Sequence, residues 1–137
     1  MCCDISFCIF LVLLTFTMPG DPITTHCLDT STGIPASDIR IVLLRCSNED
    51  DLEGCSWDQC GETRTNSDGR GPGFSANANI QEGVYKAVFH VKEYFERYGL
   101  ASFYPKVEII FRVTDPSQHY HIPLLLSPFG YSTYRGS

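Results

Sequence analysis

The 137 residues are the length of one ordinary domain, enough to bury a core of its own. Hydrophobic residues make up 43% and charged residues 19%, a balance that excludes extended disorder. A net charge of −6, with no cluster of Lys or Arg, excludes a nucleic-acid partner, because phosphate backbones need a basic footprint.

In chain order, residues 5–17 (ISFCIFLVLLTFT) form an apolar run about as long as the core of a secretory signal. The run is shorter than the ~20 residues that cross a bilayer, so no stable membrane association is expected. No Lys or Arg precedes it, and Met18-Pro19-Gly20 makes a poor cleavage site. Residues 1–20 are therefore set aside as a hydrophobic leader, either a signal peptide or an extension that does not belong to the fold, and residues 21–137 are taken as one domain.

From there the chain predicts β-structure. Strands are expected over 24–28, 39–45, 83–91, 107–113 and 120–126, from β-branched content and period-two alternation. Their spacing suits a sandwich. Pro105, Pro116 and Pro123 are placed at strand starts or edges, where a missing N–H is tolerated. Lys92 to Tyr98, stopped by Gly99, predicts one short helix. Residues 48–61 are polar and acidic and are expected to form an exposed loop. Asp68-Gly69 marks a tight turn, with Arg70 leaving directly after it.

Seven cysteines leave the compartment open. Outside the leader lie Cys27, Cys46, Cys55 and Cys60, which suit two disulfides in a secreted protein or free thiols in a reducing compartment. The chemistry rests on other residues. Of the four histidines, His26 ends a strand before a turn, and His90 reads as structural. His119 and His121, two apart, share a face if the strand starts as early as 119, a spacing that also suits zinc, with His26 a conceivable third ligand. No nucleophile-elbow serine and no phosphate-binding glycine loop is present. Catalysis here therefore falls to histidine, which both accepts and donates protons near neutrality. The apolar run 122–126 is expected to anchor the polar tail, holding Tyr134, Arg135 and the carboxylate of Ser137 in fixed positions.

These residues are recognisable together. The chain resembles the transthyretin-like family, and within it the 5-hydroxyisourate hydrolases. The likeness is carried by His26-Cys27-Leu28-Asp29-Thr30, by Thr65 to Arg70, by Phe103-Tyr104-Pro105, by 119–128, and by the ending Tyr134-Arg135-Gly136-Ser137. The leader and the segment 46–61 depart from it, the latter being longer and richer in cysteine. The resemblance implies an all-β, transthyretin-like (prealbumin-like) sandwich of seven to eight strands with one short helix. It further implies a homotetramer with its sites at the dimer–dimer interface, and hydrolysis of 5-hydroxyisourate in urate breakdown without metal or cofactor. The matching site residues are His26, Arg70, His121 and Ser137 as the catalytic set. His26, Arg70, Tyr134, Arg135 and Gly136 are the substrate-binding set. A carrier of a small hydrophobic ligand is the alternative. The expected compartment is peroxisome or cytoplasm, or the secretory pathway if residues 1–20 act as a signal.

Overall fold

The computed structural model describes residues 20–137; the leader up to residue 19 lies outside the described residues. Eight strands and one helix follow in the order β1 (Ile23–Asp29), β2 (Ile34–Pro35), β3 (Arg40–Cys46), β4 (Trp57–Arg64), β5 (Gly83–Phe89), α1 (Val91–Arg97), β6 (Val107–Val113), β7 (Tyr120–Ser127) and β8 (Gly130–Thr133). They form two four-stranded sheets, β2-β1-β7-β8 and β4-β3-β5-β6. Every pairing is antiparallel except that of β1 with β7.

Alternation decides which side chains meet between the sheets. In β1, Ile23, Thr25, Cys27 and Asp29 are buried while Thr24, His26 and Leu28 face outward, as the two-residue repeat of a strand requires. The core joins Ile23, Cys27, Leu124 and Leu126 of one sheet to Ile41, Leu43, Tyr85, Phe89 and Val107 of the other. The helix closes one end through Val91, Tyr94 and Phe95. Tyr94 donates its hydroxyl hydrogen to the buried Asp29 carboxylate at 2.8 Å, tying helix to β1. Burial disfavours that carboxylate's charge, but donors from Ser31 and Tyr94 outweigh it and hold its pKa below the ordinary range.

Four expectations are corrected. Residues 83–91 do not form one strand, because β5 ends at Phe89 and the helix already begins at Val91. The loop expected over 48–61 is shorter, since β4 begins at Trp57, registered against Cys46. Pro123 lies inside the interior strand β7, opposite His26, rather than at an edge. It is tolerated because the β7–β8 ladder begins only at Leu124, opposite Thr133. Finally, among the described residues the thiols are divided: Cys46 and Cys55 form a disulfide, whereas Cys27 and Cys60 are free. Burial pushes the Cys27 thiol up to about 12, so it stays protonated and inert. Among the described residues, no helix is long and apolar enough to cross a membrane.

Candidate active site

The outward face of β1 and β7 carries the chemistry. Their parallel register sets Thr24 opposite His121 and His26 opposite Pro123. An open cavity of about 690 Å³ lies over this face, lined among others by Thr24, His26, Arg70, His119, His121 and Tyr134. The remaining wall comes from the Asn66–Pro72 turn and from Gly136 and Ser137 of the tail.

The turn is built so that Arg70 stands beside His26. The Asn66 side-chain oxygen accepts from the N–H groups of Asp68 and Arg70 at 3.0 and 3.1 Å. Gly69 has φ of +75°, a conformation that glycine adopts without a Cβ penalty. A Cβ there would also strike the carbonyl oxygen of Cys27. That contact exists because the turn packs on β1: the Cys27 N–H donates to the Gly69 carbonyl at 2.8 Å, and His26 forms a bridge with Arg70. The loop beyond is pinned too, by Asp21, whose carboxylate accepts from the N–H groups of Gly73 and Ser75 at 2.9 and 3.3 Å. Among the described residues, the exposed Arg70 guanidinium has no hydrogen-bonded or ion-paired partner. Its planar fork of five donors faces the cavity unspent.

Each histidine is fixed through one nitrogen. His26 Nε2 lies 2.8 Å from the Asp68 carbonyl oxygen. A carbonyl only accepts, so Nε2 carries the hydrogen and Nδ1 is the bare nitrogen of the neutral ring. His121 Nδ1 lies 2.8 Å from the Thr24 hydroxyl, which is also 2.9 Å from His119 Nε2. His121 Nε2 has no hydrogen-bond partner among the described residues. Burial foremost, then the positive Arg70 and the neighbouring His119 and His26, hold the His121 pKa below its ordinary 6.5. The imidazole is therefore neutral at neutral pH, with lone-pair capacity to spare.

The tail lies across His121. The Gly136 N–H donates to the His121 carbonyl at 2.9 Å, and the two residues bridge in the register that β8 sets. A side chain at 136 would collide with the His121 ring, so only glycine lets the tail come this close. Tyr134, Gly136 and Ser137 line the cavity, but Arg135 turns to the other side. Its guanidinium sits 4.7 Å from the centre of the Tyr120 ring and donates to the Gln118 side-chain oxygen at 3.1 Å. Of the expected site residues, the structure thus brings together His26, Arg70, His121, Tyr134, Gly136 and Ser137. Arg135 instead clamps the tail from behind.

Sequence reading missed Thr24, Asn66 and Asp21. Thr24 was within reach, since it stands two residues before His26 on the same strand face. Asn66 and Asp21 act on backbone groups, which leave no signature of spacing. Among the described residues, no three His, Cys, Asp or Glu side chains are grouped to hold a metal ion. His119 and His121 share a threonine hydroxyl instead.

Comparison with known proteins places the chain in a family. The family model described as HIUase/Transthyretin matches residues 23–136. The chain belongs to this family. It is 43% identical to the 5-hydroxyisourate hydrolase of Mus musculus over 120 residues, covering 86% of this chain and 97% of that one. It is 38% identical to a probable 5-hydroxyisourate hydrolase of Caenorhabditis elegans over 137 residues, covering 98% and 97%. Among solved structures, the 5-hydroxyisourate hydrolase of Klebsiella pneumoniae superposes with a TM-score of 0.69 at 35% identity, covering 84% of this chain and 97% of that one. The fold is the transthyretin-like sandwich.

Proposed function

We propose that this cavity hydrolyses 5-hydroxyisourate to 2-oxo-4-hydroxy-4-carboxy-5-ureidoimidazoline, a step of urate degradation. The observation that carries the reading is convergence. One cavity holds two imidazoles, each fixed through one nitrogen with the other open, beside an unpaired guanidinium. Ring opening needs this set: water attacks the C6 carbonyl, a proton leaves the water, negative charge grows on the carbonyl oxygen, and the N1–C6 bond breaks. His121 Nε2 takes the water proton, a role whose usual worth is ~10²–10⁴-fold. Arg70 binds the substrate oxygens and the developing oxyanion through its fork. His26 accepts a hydrogen through Nδ1 and completes the pair that holds the water and moves protons. Tyr134 and Gly136 bound the substrate, Ser137 orients the water, and Arg135 keeps the tail in place.

The functional unit under this reading is a homotetramer with the cavity at the dimer–dimer interface. Two observations support it: the cavity opens on the outer face of its sheet, and Phe129, Tyr131 and Tyr134 around β8 are exposed at 73%, 42% and 58%. Native mass spectrometry measures the assembly.

The activity is tested by generating 5-hydroxyisourate from urate and following its decay spectrophotometrically. The enzyme is expected to accelerate the decay, with kcat lost when His26 or His121 is replaced by Gln. Decay at the uncatalysed rate would overturn the reading. Exhaustive chelation is expected to leave the rate unchanged; a loss that zinc restores would give His119 and His121 a metal to hold.

A further inference from the structure

Thr24 stands between two histidines, and its hydroxyl has one hydrogen to give. Oγ1 lies 2.8 Å from His121 Nδ1 and 2.9 Å from His119 Nε2. The two rings are nearly parallel, 19° apart, with centroids 6.4 Å from one another, so the hydroxyl bridges a gap too wide for a direct bond. One hydrogen cannot serve both nitrogens, and although the two lone pairs of Oγ1 also let it accept from both rings at once, a chain that carries a proton from ring to ring runs in one of two directions. In the first, His121 donates through Nδ1–H to Thr24, and Thr24 donates to His119 Nε2. His121 then keeps a bare Nε2 toward the cavity and is a base. In the second, His119 donates to Thr24, and Thr24 donates to His121 Nδ1. His121 then carries its hydrogen on Nε2 and is an acid.

We propose that Thr24 is a proton relay that moves the proton accepted by His121 on to His119 and back, converting His121 from base to acid within one turnover. The balance closes. Water gives a proton to His121 Nε2; His121 Nδ1 passes its own to Thr24 Oγ1, and the hydrogen already on Oγ1 passes to His119 Nε2. His121 is then neutral, with hydrogen on Nε2, and His119 is an imidazolium. When the N1–C6 bond breaks, His121 Nε2–H protonates the leaving N1, and the reverse hops return the proton from His119 through Thr24 to His121 Nδ1. No proton is lost or gained, and no further reactant is needed.

The surroundings favour such a transfer. His121 is half-buried and faces Arg70 across the cavity, with His26 from β1 nearby and Asp21 and Ser137 on the cavity wall; His119 stands just before its own strand. A lasting imidazolium at His121 would sit in a half-buried position, near a guanidinium. His119 is exposed, where water screens the charge. Position 24 is fixed for the task, since the parallel register aligns it with His121 and period-two alternation turns its side chain outward.

This inference rests on the hydrolase reading for its kinetics but not for its spectroscopy. Thr24→Val keeps the shape and the strand preference while removing the hydroxyl; Thr24→Ser restores the hydroxyl. Thr24→Val is expected to lower kcat at least ~10-fold with KM little changed, and Thr24→Ser to recover most of that loss. His119→Gln is expected to match Thr24→Val, and the double variant to lose no more than either alone, because both break one chain. Equal kcat in wild type and Thr24→Val, equal loss in the valine and serine variants, or additive losses would overturn the relay. Side-chain ¹⁵N NMR of the histidines, recorded without substrate, tests it separately. His121 is expected mainly in its Nδ1–H form, and that preference to disappear in Thr24→Val and in His119→Gln. Unmoved nitrogen shifts would overturn the relay even in an active enzyme. Moved shifts in a protein that does not hydrolyse 5-hydroxyisourate would overturn the hydrolase reading and leave the coupling standing.

Discussion

The two sheets of this sandwich carry different loads. The sheet β2-β1-β7-β8 supplies Thr24, His26 and His121 to the cavity, with His119 just before β7, and the tail that extends the sheet supplies Tyr134, Gly136 and Ser137. The sheet β4-β3-β5-β6 supplies none of the cavity's lining. It buries Ile41, Leu43, Tyr85, Ala87, Phe89 and Val107, and it carries the pairs Arg40–Glu62, Lys86–Glu108 and Arg112–Glu49 on its exposed side. One sheet is an active surface and the other is its support. Damage to the support should therefore appear as lost stability, and damage to the active surface as lost rate.

The largest expected effect falls on the support. Leu43, in the middle of β3, is fully buried. Leu43→Ala is expected to cost about 2–5 kcal/mol of stability, through lost burial and the cavity left behind. Denaturant unfolding measures it, and kcat per folded molecule should be retained. A matching fall in kcat would mean that the two sheets are not separable. Next comes the tail. Removing Tyr134 to Ser137 deletes the contact of Gly136 with His121 and the Arg135 clamp, and placement errors of an ångström are costly in catalysis. We expect a loss of at least ~10²-fold in rate. The melting temperature should barely move, because Leu124 and Leu126 remain buried. Full activity after truncation would take the tail out of the site.

Legibility followed the same division for a physical reason. Strands β5, β6 and β7 announce themselves through β-branched and apolar content, and β1 is buried at every second residue, at Ile23, Thr25, Cys27 and Asp29. Strand β4 (WDQCGETR) is an edge strand in which only Thr63 is buried, so its sequence reads as a polar loop. Strand β8 is likewise an edge with no buried residue. His26, Arg70 and His121 were legible because their chemistry is rare and their motifs are specific. The direction of Arg135 was not, since it depends on the tail continuing β8 past Pro123, a fact of pairing rather than of composition. Cysteine pairing was undecidable for the same reason. Cys46 and Cys55 meet only because Ser47 and Ser56 pair across the hairpin, with an N–H to carbonyl bond of 2.9 Å.

That hairpin supplies a smaller effect. The disulfide closes a loop with a sequence separation of 9, at the end of the supporting sheet away from the cavity. Short loops gain least from closure, so replacing both cysteines with serine is expected to cost roughly 2–3 kcal/mol. Thermal unfolding with and without reductant reads this, and the rate of 5-hydroxyisourate decay should be unaffected. A change in rate would mean that the hairpin reaches the active surface.

The finest distinction lies within the active surface itself, between the charge of Arg70 and its shape. The role proposed for His121 requires the neutral ring, so under it the rate should rise with pH through the His121 pKa and stay flat above it. Burial first, and Arg70 second, hold that pKa below 6.5, which places the acid limb of the pH–rate profile below 6.5. Arg70→Lys keeps the positive charge but loses the planar fork. It is expected to lower kcat/KM by more than ~10-fold, about 1.4 kcal/mol of transition-state stabilisation, with the acid limb left where it was. Arg70→Gln removes the charge as well. A neutral neighbour no longer disfavours the imidazolium, so the pKa should rise toward its ordinary value and the acid limb should move to higher pH. Burial remains in both variants, so the limb should still fall short of 6.5. An acid limb that stays fixed in Arg70→Gln would show that Arg70 serves His121 by no electrostatic route, leaving it only the substrate to bind.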